Sequence, residues 1–333
     1  MKPNNSLMAA VLITKNRAQA VKTFIKKSIG YLTEAGIDLF VYDSSTDNTT
    51  HAITAKYQKI YPNVHYRRHT GEDNPLSIDK KVLSIYTMYA KDYKWLWLLR
   101  DGLTVSHKIT QIKKHLQTNY DFIIADSAKR DIRHLGTKIY TNNLQLFQEQ
   151  VANLNTLGLI IVNSHFILRV IQEVPLSPAT YGLWQPIAFF HYYARHTPNV
   201  LFLISKIWKP NSAPTANISH FWIQKLCWQW GERWVNMINA LPQEYNSCKQ
   251  GAMIVKTADF EPFSGRTLLA GKQAGGLNFK LVSKYRKYLK QVSREKILFI
   301  YLIAVLPVFW AKRIIRLQEN FRHFMDKHIY KTI

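Results

Sequence analysis

A single carboxylate follows the most apolar strand-like segment of the chain. Residues 95–99 have the sequence Trp-Leu-Trp-Leu-Leu and lead directly into Arg100, Asp101 and Gly102. Such a run is typical of a buried strand in a parallel sheet, and ligands of these sheets bind beyond the carboxyl ends of the strands. One carboxylate placed there could hold a divalent metal or orient a sugar. An exposed turn residue that caps the next helix would give the same pattern, so this segment alone leaves both roles open.

Polar side chains also follow two earlier strand-like segments. The apolar run over residues 7–14 ends in Thr14 and leads into Asn16 and Arg17, and a second run ends at Asp43. Backbone and side-chain groups at the first of these ends could bind a nucleotide. The Asp43 carboxylate could accept hydrogen bonds from a uracil ring or a ribose hydroxyl. Both segments therefore suggest nucleotide binding at strand ends.

These three segments together resemble motifs of the family 2 glycosyltransferases, which have the GT-A fold. Residues 11–17, Val-Leu-Ile-Thr-Lys-Asn-Arg, are similar to the first-strand motif of that family, an apolar run followed by Pro-Thr-x-Asn-Arg. Residues 41–49, Val-Tyr-Asp-Ser-Ser-Thr-Asp-Asn-Thr, are similar to its second-strand motif, and residues 98–102 take the place of its Leu-Asp-Asp-Asp metal motif. Because the order and spacing of all three agree, the resemblance is specific over about residues 7–130.

The resemblance implies a nucleotide-diphosphate donor, expected to be a UDP-sugar, and a Mg²⁺ or Mn²⁺ cofactor that stabilises the charge of the leaving group. It places Asp101 at a position that contacts the metal. The acidic positions on either side of it are changed, because Arg100 and Gly102 stand there. Arg100 could bind the diphosphate bidentately and replace part of the metal's charge. Alternatively, Arg100 neutralises Asp101 and the protein binds no metal; we favour a metal at Asp101.

A helix is predicted to begin after Asn74 and Pro75, which form an N-cap and a first-turn proline. Asp79 and Lys80 lie in its first turns. In the family this region borders the nucleotide, so the resemblance implies that both residues contact the donor, with Lys80 on a phosphate. An ordinary exposed pair on a helix would have the same spacing.

The catalytic base is not identified by the motifs. Inverting members of the family deprotonate the acceptor with an Asp or Glu beyond the metal strand, but the corresponding residues, 181–187, contain no carboxylate. Gln185 cannot act as a base. His191 has suitable chemistry nearby, and Asp126 follows the predicted strand over residues 122–125. Both are candidates, although a histidine among aromatic residues is more often structural.

The repeated alternation of strand and helix patterns predicts an α/β fold. We expect a GT-A, Rossmann-like architecture: a mostly parallel, twisted sheet flanked by helices, with a basic helical extension at the C-terminus. Residues 1–130 are predicted to form the nucleotide-sugar-binding half and residues 131–279 the acceptor-binding half. Residues 280–333 are predicted to form a basic amphipathic tail.

The charge of the chain indicates an anionic partner. Lys and Arg number 45 and Asp and Glu 21, which gives a formal net charge of +24 over 333 residues. Hydrophobic residues make up 47%, which argues against global disorder. The two cysteines, Cys227 and Cys248, do not suggest a disulfide framework and fit a reducing compartment. Nucleic acid is the least favoured partner, because no nucleic-acid-binding motif is present.

The C-terminal tail favours a membrane surface. Residues 280–333 contain 13 Lys and Arg and three acids, a net of 13 − 3 = +10. The apolar segment over residues 297–311 would rise roughly 22 Å as a helix, less than the ~30 Å of a bilayer core. Basic amphipathic helices beside short apolar segments lie on anionic bilayers. The alternative is a helix that packs on the protein and exposes its basic face to water.

Two functions follow from these patterns. The first is an inverting transfer of a hexose-type sugar to a membrane-associated glycan in bacterial surface polysaccharide synthesis, by a peripheral enzyme at the cytoplasmic face of the plasma membrane. The second is a non-catalytic, glycosyltransferase-like subunit that supports an active partner, which the altered metal motif suggests. The sequence leaves the oligomeric state open.

Overall fold

The computed structural model of the chain describes two compact units. They comprise Met1–Ala216 and Asn217–Ile333. The predicted division at residues 130 and 280 concerns the function of each region and stays a prediction. The structure describes residues 6–70, 75–126, 137–175, 184–205, 207–211, 221–255 and 261–328.

The first unit contains an eight-stranded sheet and a separate pair of short strands, with helices between them. The described strands are β1 (Met8–Thr14), β2 (Ile37–Asp43), β3 (Val64–Arg68), β4 (Trp95–Arg100), β5 (Leu103–Val105), β6 (Phe122–Asp126), β7 (Lys138–Tyr140), β8 (Ile160–Asn163), β9 (Val200–Ile204) and β10 (Trp208–Pro210). The described helices are α1 (Ala18–Ala35), α2 (Thr49–Gln58), α3 (Pro75–Tyr89), α4 (Asn143–Gln150), α5 (Ser164–Glu173) and α6 (Trp184–Tyr193), with 3₁₀ turns at His107–His115 and Asn153–Asn155.

The large sheet is mostly parallel, which confirms the predicted fold class. Its strand order is β3-β2-β1-β4-β8-β6-β9-β7, and β10 pairs with β5 outside it. The strands β1 to β4 are mutually parallel where they pair. β8 runs antiparallel between β4 and β6, and β7 is antiparallel at the edge. As a consequence, β4 and β6 point in the same direction and end at the same edge of the sheet.

The apolar runs form central strands because both of their faces are covered. Residues 8–12 of β1 are fully buried, and residues 95–99 of β4 are at most 2% exposed. The two tryptophans of β4 are also satisfied as donors. Trp95 donates its indole N–H to the Leu116 carbonyl at 2.8 Å, and Trp97 donates to the Gly158 carbonyl at 3.0 Å. The strand therefore excludes water along its length and ends abruptly at Arg100.

The second unit is helical. Its described elements are α7 (Phe221–Gln224), a π-helical segment (Cys227–Arg233), α8 (Trp234–Ala240), a 3₁₀ turn (Gln243–Tyr245), α9 (Asn246–Met253), α10 (Gly265–Gln273), α11 (Phe279–Val292), α12 (Ile297–Val305) and α13 (Val308–His328). α11 buries Val282, Tyr285, Leu289 and Val292. α11 therefore packs by one face and exposes lysines on the other, and membrane association of the tail stays a prediction.

Candidate functional site

The ends of three parallel strands bring the predicted site residues together. Thr14 at the end of β1 pairs in register with Asp43 at the end of β2, and Ile13 pairs with Arg100 at the end of β4. β1 lies between β2 and β4. The chain passes from β1 to β2 and β3 on one side of β1, and then crosses to β4 on its other side. This is the topological switch point at which open α/β sheets bind their ligands. Asp101 follows immediately after β4.

Asp101 is buried and engaged by β1 and the residues after it. The residue is only 3% exposed to solvent. The hydroxyl of Thr14 donates to its Oδ2 at 2.7 Å, and the guanidinium of Arg17 donates to its Oδ1 at 2.5 Å. Charge-assisted contacts of this length are among the strongest hydrogen bonds in proteins. The structure thus connects the first and third motifs through one carboxylate.

The backbone of the Asp101 turn is held by a residue that the motifs did not indicate. The Asn211 side-chain amide donates to the carbonyl of Asp101 at 2.7 Å and to that of Ala20 at 2.9 Å. The Asn211 backbone N–H donates to the carbonyl of Gly102 at 2.8 Å. Asn211 therefore ties the turn after β4 to α1. Its distance of 110 residues from Asp101 in the chain leaves no local pattern that could reveal it.

Burial raises the pKa of the Asp101 carboxyl above its ordinary value. The Arg17 charge, the Thr14 hydrogen bond and the charge of Arg100 act in the opposite direction and favour the ionised form. The carboxylate therefore depends on its cationic neighbours, and Arg17 is the nearest of them.

In the structure Asp101 is engaged by donors of the protein and is not left open as a metal ligand. Both of its oxygens already accept hydrogen bonds, and one of them is paired with the guanidinium of Arg17. Mg²⁺ and Mn²⁺ favour several oxygen ligands, usually from more than one carboxylate or with substrate phosphates. Within the described part of the chain, no group of three or more His, Cys, Asp or Glu side chains could hold a metal. Coordination of Mg²⁺ or Mn²⁺ by Asp101 therefore stays a prediction.

Asp43 is fully buried and acts within the protein. Its Oδ1 accepts from the backbone N–H and the hydroxyl of Ser45 at 2.8 and 2.5 Å. Its Oδ2 accepts from the Tyr66 hydroxyl at 2.9 Å and the Arg68 guanidinium at 3.2 Å. Burial and the bond to Asp43 raise the pKa of Tyr66 to about 12. Four donors account for the acceptor positions of a carboxylate, so direct contact with uracil or ribose stays a prediction, and the observed role is to position Ser45 and Arg68.

Asn16 joins the loops that follow β1 and β2. It has φ 52°, in the left-handed region that asparagine tolerates better than most residues. Its backbone N–H donates to the hydroxyl of Ser45 at 2.8 Å, and its Oδ1 accepts from the N–H of Thr46 at 2.9 Å. The Asn-Arg pair of the first motif therefore has two separate tasks. Asn16 fixes the loop, and Arg17 faces Asp101.

A buried lysine completes the cationic side of the strand ends. Lys81 on α3 is 7% exposed and donates from Nζ to the Ser44 hydroxyl at 2.6 Å. Ser44 in turn donates its N–H to the Thr14 carbonyl at 3.1 Å. Lys80, which was predicted to meet a phosphate, is exposed. Lys81 lies three residues after Ile78 and four before Ile85. Residues at this spacing share one face of a helix, so the sequence could have predicted that Lys81 faces inward with the apolar residues.

We expect Lys81→Met to weaken the binding of UDP by about tenfold or more, because it removes a cation held at the strand ends. Lys80→Met is the matched control on the next position of the same helix, and we expect it to change the affinity less than about twofold. Isothermal titration of both variants with UDP measures the difference, with thermal melting as a check on folding. A larger effect from Lys80 would contradict the structure and restore the original prediction.

Asp79 has a structural contact in the first unit. Its Oδ1 accepts from the backbone N–H of Trp184, the first residue of α6, at 3.2 Å. Gln185 accepts from the Tyr86 hydroxyl at 2.8 Å and donates to the Leu154 carbonyl at 3.1 Å. Both contacts fasten α6 to its neighbours. Contact between Asp79 and the donor stays a prediction.

The structure does not single out a catalytic base. The backbone of Asp126 lies at the end of β6, paired with Ile204, at the same edge of the sheet as the end of β4. Its side chain lies outside the described residues. His191 is half-buried on α6. The roles of Asp126 and His191 as bases therefore stay predictions, and Arg100, exposed at the end of β4, stays a predicted diphosphate ligand.

Comparison with known proteins finds similarity at the level of structure only. No family model and no curated protein matches the chain. Among solved structures, it is similar to a mannosyltransferase from Pyrobaculum calidifontis in complex with GDP-Man and Mn²⁺, with 9% identity and a TM-score of 0.49 over 90% of this chain and 79% of that one. It is also similar to glucosyl-3-phosphoglycerate synthase from Mycobacterium tuberculosis in complex with Mg²⁺ and UDP, with 11% identity and a TM-score of 0.42 over 67% and 78%. The assignment of the site in this chain depends on its own residues and contacts.

Proposed function

We propose that this chain is a glycosyltransferase that moves a sugar from a nucleotide-diphosphate donor, with UDP-sugars the first candidates. The observation that carries the proposal is that the Arg17–Asp101 pair and the Lys81–Ser44 pair both lie at strand ends of the switch point of the sheet, joined through Thr14. Each of these charged groups is fixed by a partner from another strand end or loop. A polar site built this way at the carboxyl ends of parallel strands suits a phosphorylated ligand.

The site offers cations where a donor diphosphate would need them. Arg17 uses one N–H on Asp101, and a guanidinium has five N–H donors in a fixed plane. Lys81 supplies an ammonium, and Arg100 is exposed one residue before Asp101. During transfer the nucleoside diphosphate leaves with increased negative charge, and preorganised cations stabilise such charge. In this proposal Asp101 holds Arg17 in place, so that the charge of the leaving group is met by side chains of the chain itself.

The acceptor and the stereochemistry are proposed on other grounds. The family resemblance supports inversion and a hexosyl transfer. The net charge of +24 supports an acceptor in an anionic setting, such as a diphosphate-linked lipid glycan of bacterial surface polysaccharide synthesis. We propose that the enzyme works as a peripheral protein on the cytoplasmic face of the plasma membrane.

Donor titration tests the central proposal. We expect UDP-sugars to bind with micromolar to millimolar dissociation constants in isothermal titration, as donors of ordinary enzymes do. We expect affinity in EDTA within about threefold of that in Mn²⁺, because the cations belong to the chain. The failure of every nucleotide-sugar to bind would overturn the enzyme proposal. A large loss of affinity in EDTA would instead establish the predicted metal and show that Asp101 exchanges Arg17 for it.

A non-catalytic subunit is the second candidate. The observation in its favour is that Asp43 and Asp101 both have their oxygens engaged within the protein. The titration therefore includes an assay of donor hydrolysis and of transfer to lipid-linked acceptors. Donor binding without either reaction supports the supporting-subunit role, whereas turnover that is lost with Asp101 supports the enzyme.

A further inference from the structure

The second unit exposes large apolar side chains where α12 meets α13. We call this set the bend surface. Its members are Leu298, Leu302, Val305, Val308, Phe309 and Trp310, with exposed fractions of 68%, 59%, 58%, 42%, 62% and 43%. Scattered exposed apolar residues are common in proteins, but a contiguous sequence of large ones marks an interaction site. The bend surface therefore requires an explanation beyond folding.

The packing of α12 produces this surface. The helix has the sequence Ile-Leu-Phe-Ile-Tyr-Leu-Ile-Ala-Val and contains no charged residue. Ile300, Ile303 and Ala304 are buried and attach it to the unit. A helix that is apolar all round is normally buried on every side, yet Leu298 and Leu302 face outward. Its outer face is thus apolar without having a role in the core.

The two helices form a sharp bend instead of a long rod. α12 ends before Pro307, α13 begins at Val308, and the pair is bent by 110°. The Lys272 ammonium closes the end of α12 by donating to the Ala304 carbonyl at 2.5 Å. No single described helix is long and apolar enough to cross a membrane, although the two helices of this bent pair together reach the length and apolar composition of a span. Nine residues of α12 rise about 13.5 Å, so that the geometry favours shallow insertion over a span.

Basic side chains flank the bend surface on both sides along the chain. Arg294 and Lys296 precede α12, and Lys312, Arg313 and Arg316 follow the bend; all five are exposed. The Arg313 guanidinium lies 5.5 Å from the ring centre of Trp310. Between residues 294 and 318, Glu295 is the single acid. The bend surface is apolar and is bordered by Lys and Arg side chains. An anionic bilayer is apolar inside and negatively charged at its surface, so the two are complementary.

We infer that the bend surface inserts into the headgroup region of an anionic lipid bilayer, with the flanking Lys and Arg side chains on lipid phosphates. An apolar protein groove would satisfy Leu298 and Phe309 equally well. It would not account for five exposed cations against one acid around the same bend. The C-terminal part of α13 is not needed for this inference, since side chains from residue 321 onward lie outside the described ones.

Vesicle flotation with the full chain tests the inference without any donor or acceptor, so its result is independent of the proposed enzymatic activity. We expect the chain to float with phosphatidylcholine vesicles that contain phosphatidylglycerol, and about tenfold less with phosphatidylcholine alone. Leu298→Asp combined with Phe309→Asp is expected to reduce binding to the mixed vesicles by about tenfold or more. Replacing Lys312, Arg313 and Arg316 by Gln is expected to reduce it by a similar factor and to remove the preference for phosphatidylglycerol.

A matched control uses exposed apolar residues of the first unit. Ile60 is 68% exposed and Ile139 is 50% exposed, close to the values of Leu298 and Phe309. Ile60→Asp combined with Ile139→Asp is expected to leave flotation unchanged. Equal binding by the bend variant and the control variant would overturn the inference. So would a wild-type chain that ignores anionic vesicles but self-associates through Leu298 in sedimentation, because the bend surface would then be a protein interface.

Discussion

Asp101→Ala is expected to lower sugar transfer by at least about 100-fold, a loss of about 2.7 kcal/mol of transition-state stabilisation. The substitution removes the carboxylate that orients Arg17 through a 2.5 Å contact. Without it the guanidinium keeps its charge but loses its fixed direction toward the strand ends. Steady-state transfer, or donor hydrolysis if the acceptor is unknown, measures the effect.

The same change has a smaller, separate effect on folding. Asp101 is 3% exposed, and its removal leaves the Thr14 hydroxyl and the Arg17 guanidinium without their buried acceptor. We expect the free energy of unfolding to fall by about 1–3 kcal/mol. Asp101→Asn retains an acceptor for Thr14 and removes the charge, so it should recover part of the stability and little of the activity.

Asp92→Ala is the matched control for Asp101. Asp92 is an exposed carboxylate in the turn before β4, at the opposite end of the same strand. We expect it to leave transfer and unfolding close to the wild type. If Asp101→Ala keeps transfer within about threefold of the wild type while folding normally, the positioning role of Asp101 is wrong.

Asp43→Ala is expected to cost about 2–4 kcal/mol of the free energy of unfolding, the largest effect on stability that we predict. The side chain is fully buried and accepts four hydrogen bonds, from two groups of Ser45 and from Tyr66 and Arg68. Its removal leaves three hydrogen-bond donors and one cation at the end of β2 without their acceptor. The lower part of the range reflects Arg68, whose side chain is 31% exposed and regains some hydration. Chemical denaturation measures the change.

A control for Asp43 lies four residues further along the same loop. Asp47 is exposed and accepts from the N–H of Thr49 at 2.8 Å at the start of α2. Asp47→Ala should therefore shift the denaturation midpoint much less than Asp43→Ala. Similar shifts for the two variants would show that Asp43 is not the organising group of this strand end. If Asp43→Asn is stable and still loses UDP affinity strongly, direct contact between Asp43 and the nucleotide would regain support.

The strands near the site could be predicted because a buried strand requires a short apolar run in the sequence. β1 and β4 begin and end within one residue of the predicted segments, and β2 ends at Asp43 as predicted. The arrangement of the strands in the other half of the sheet is harder to predict, because the direction of a strand relative to its neighbours depends on distant parts of the chain. Nothing in residues 160–163 shows that β8 runs antiparallel between β4 and β6. The pairing is chosen by the connections on either side and by the neighbours that cover each face.

The site residues divide in the same way. Thr14, Arg17 and Asp101 could be named from the sequence, since each follows an apolar run that must end at a sheet edge. Their mutual contacts could not, because a hydrogen bond across 87 residues depends on which strands become neighbours. The inward orientation of Lys81 could have been predicted from the helical spacing, whereas no local pattern indicated the role of Asn211.

The sequence by itself determined a mostly parallel α/β unit, the polar residues at its strand ends and a basic, partly apolar C-terminal region. These are local properties, since periodicity and composition act within a few residues. Only the tertiary structure decided that Asp43 is enclosed by Ser45, Tyr66 and Arg68, that Thr14 and Arg17 engage both oxygens of Asp101, and that Leu298 and Leu302 of α12 face outward. Each of those outcomes depends on which distant groups compete for a charge or an apolar face, and that competition is settled by packing.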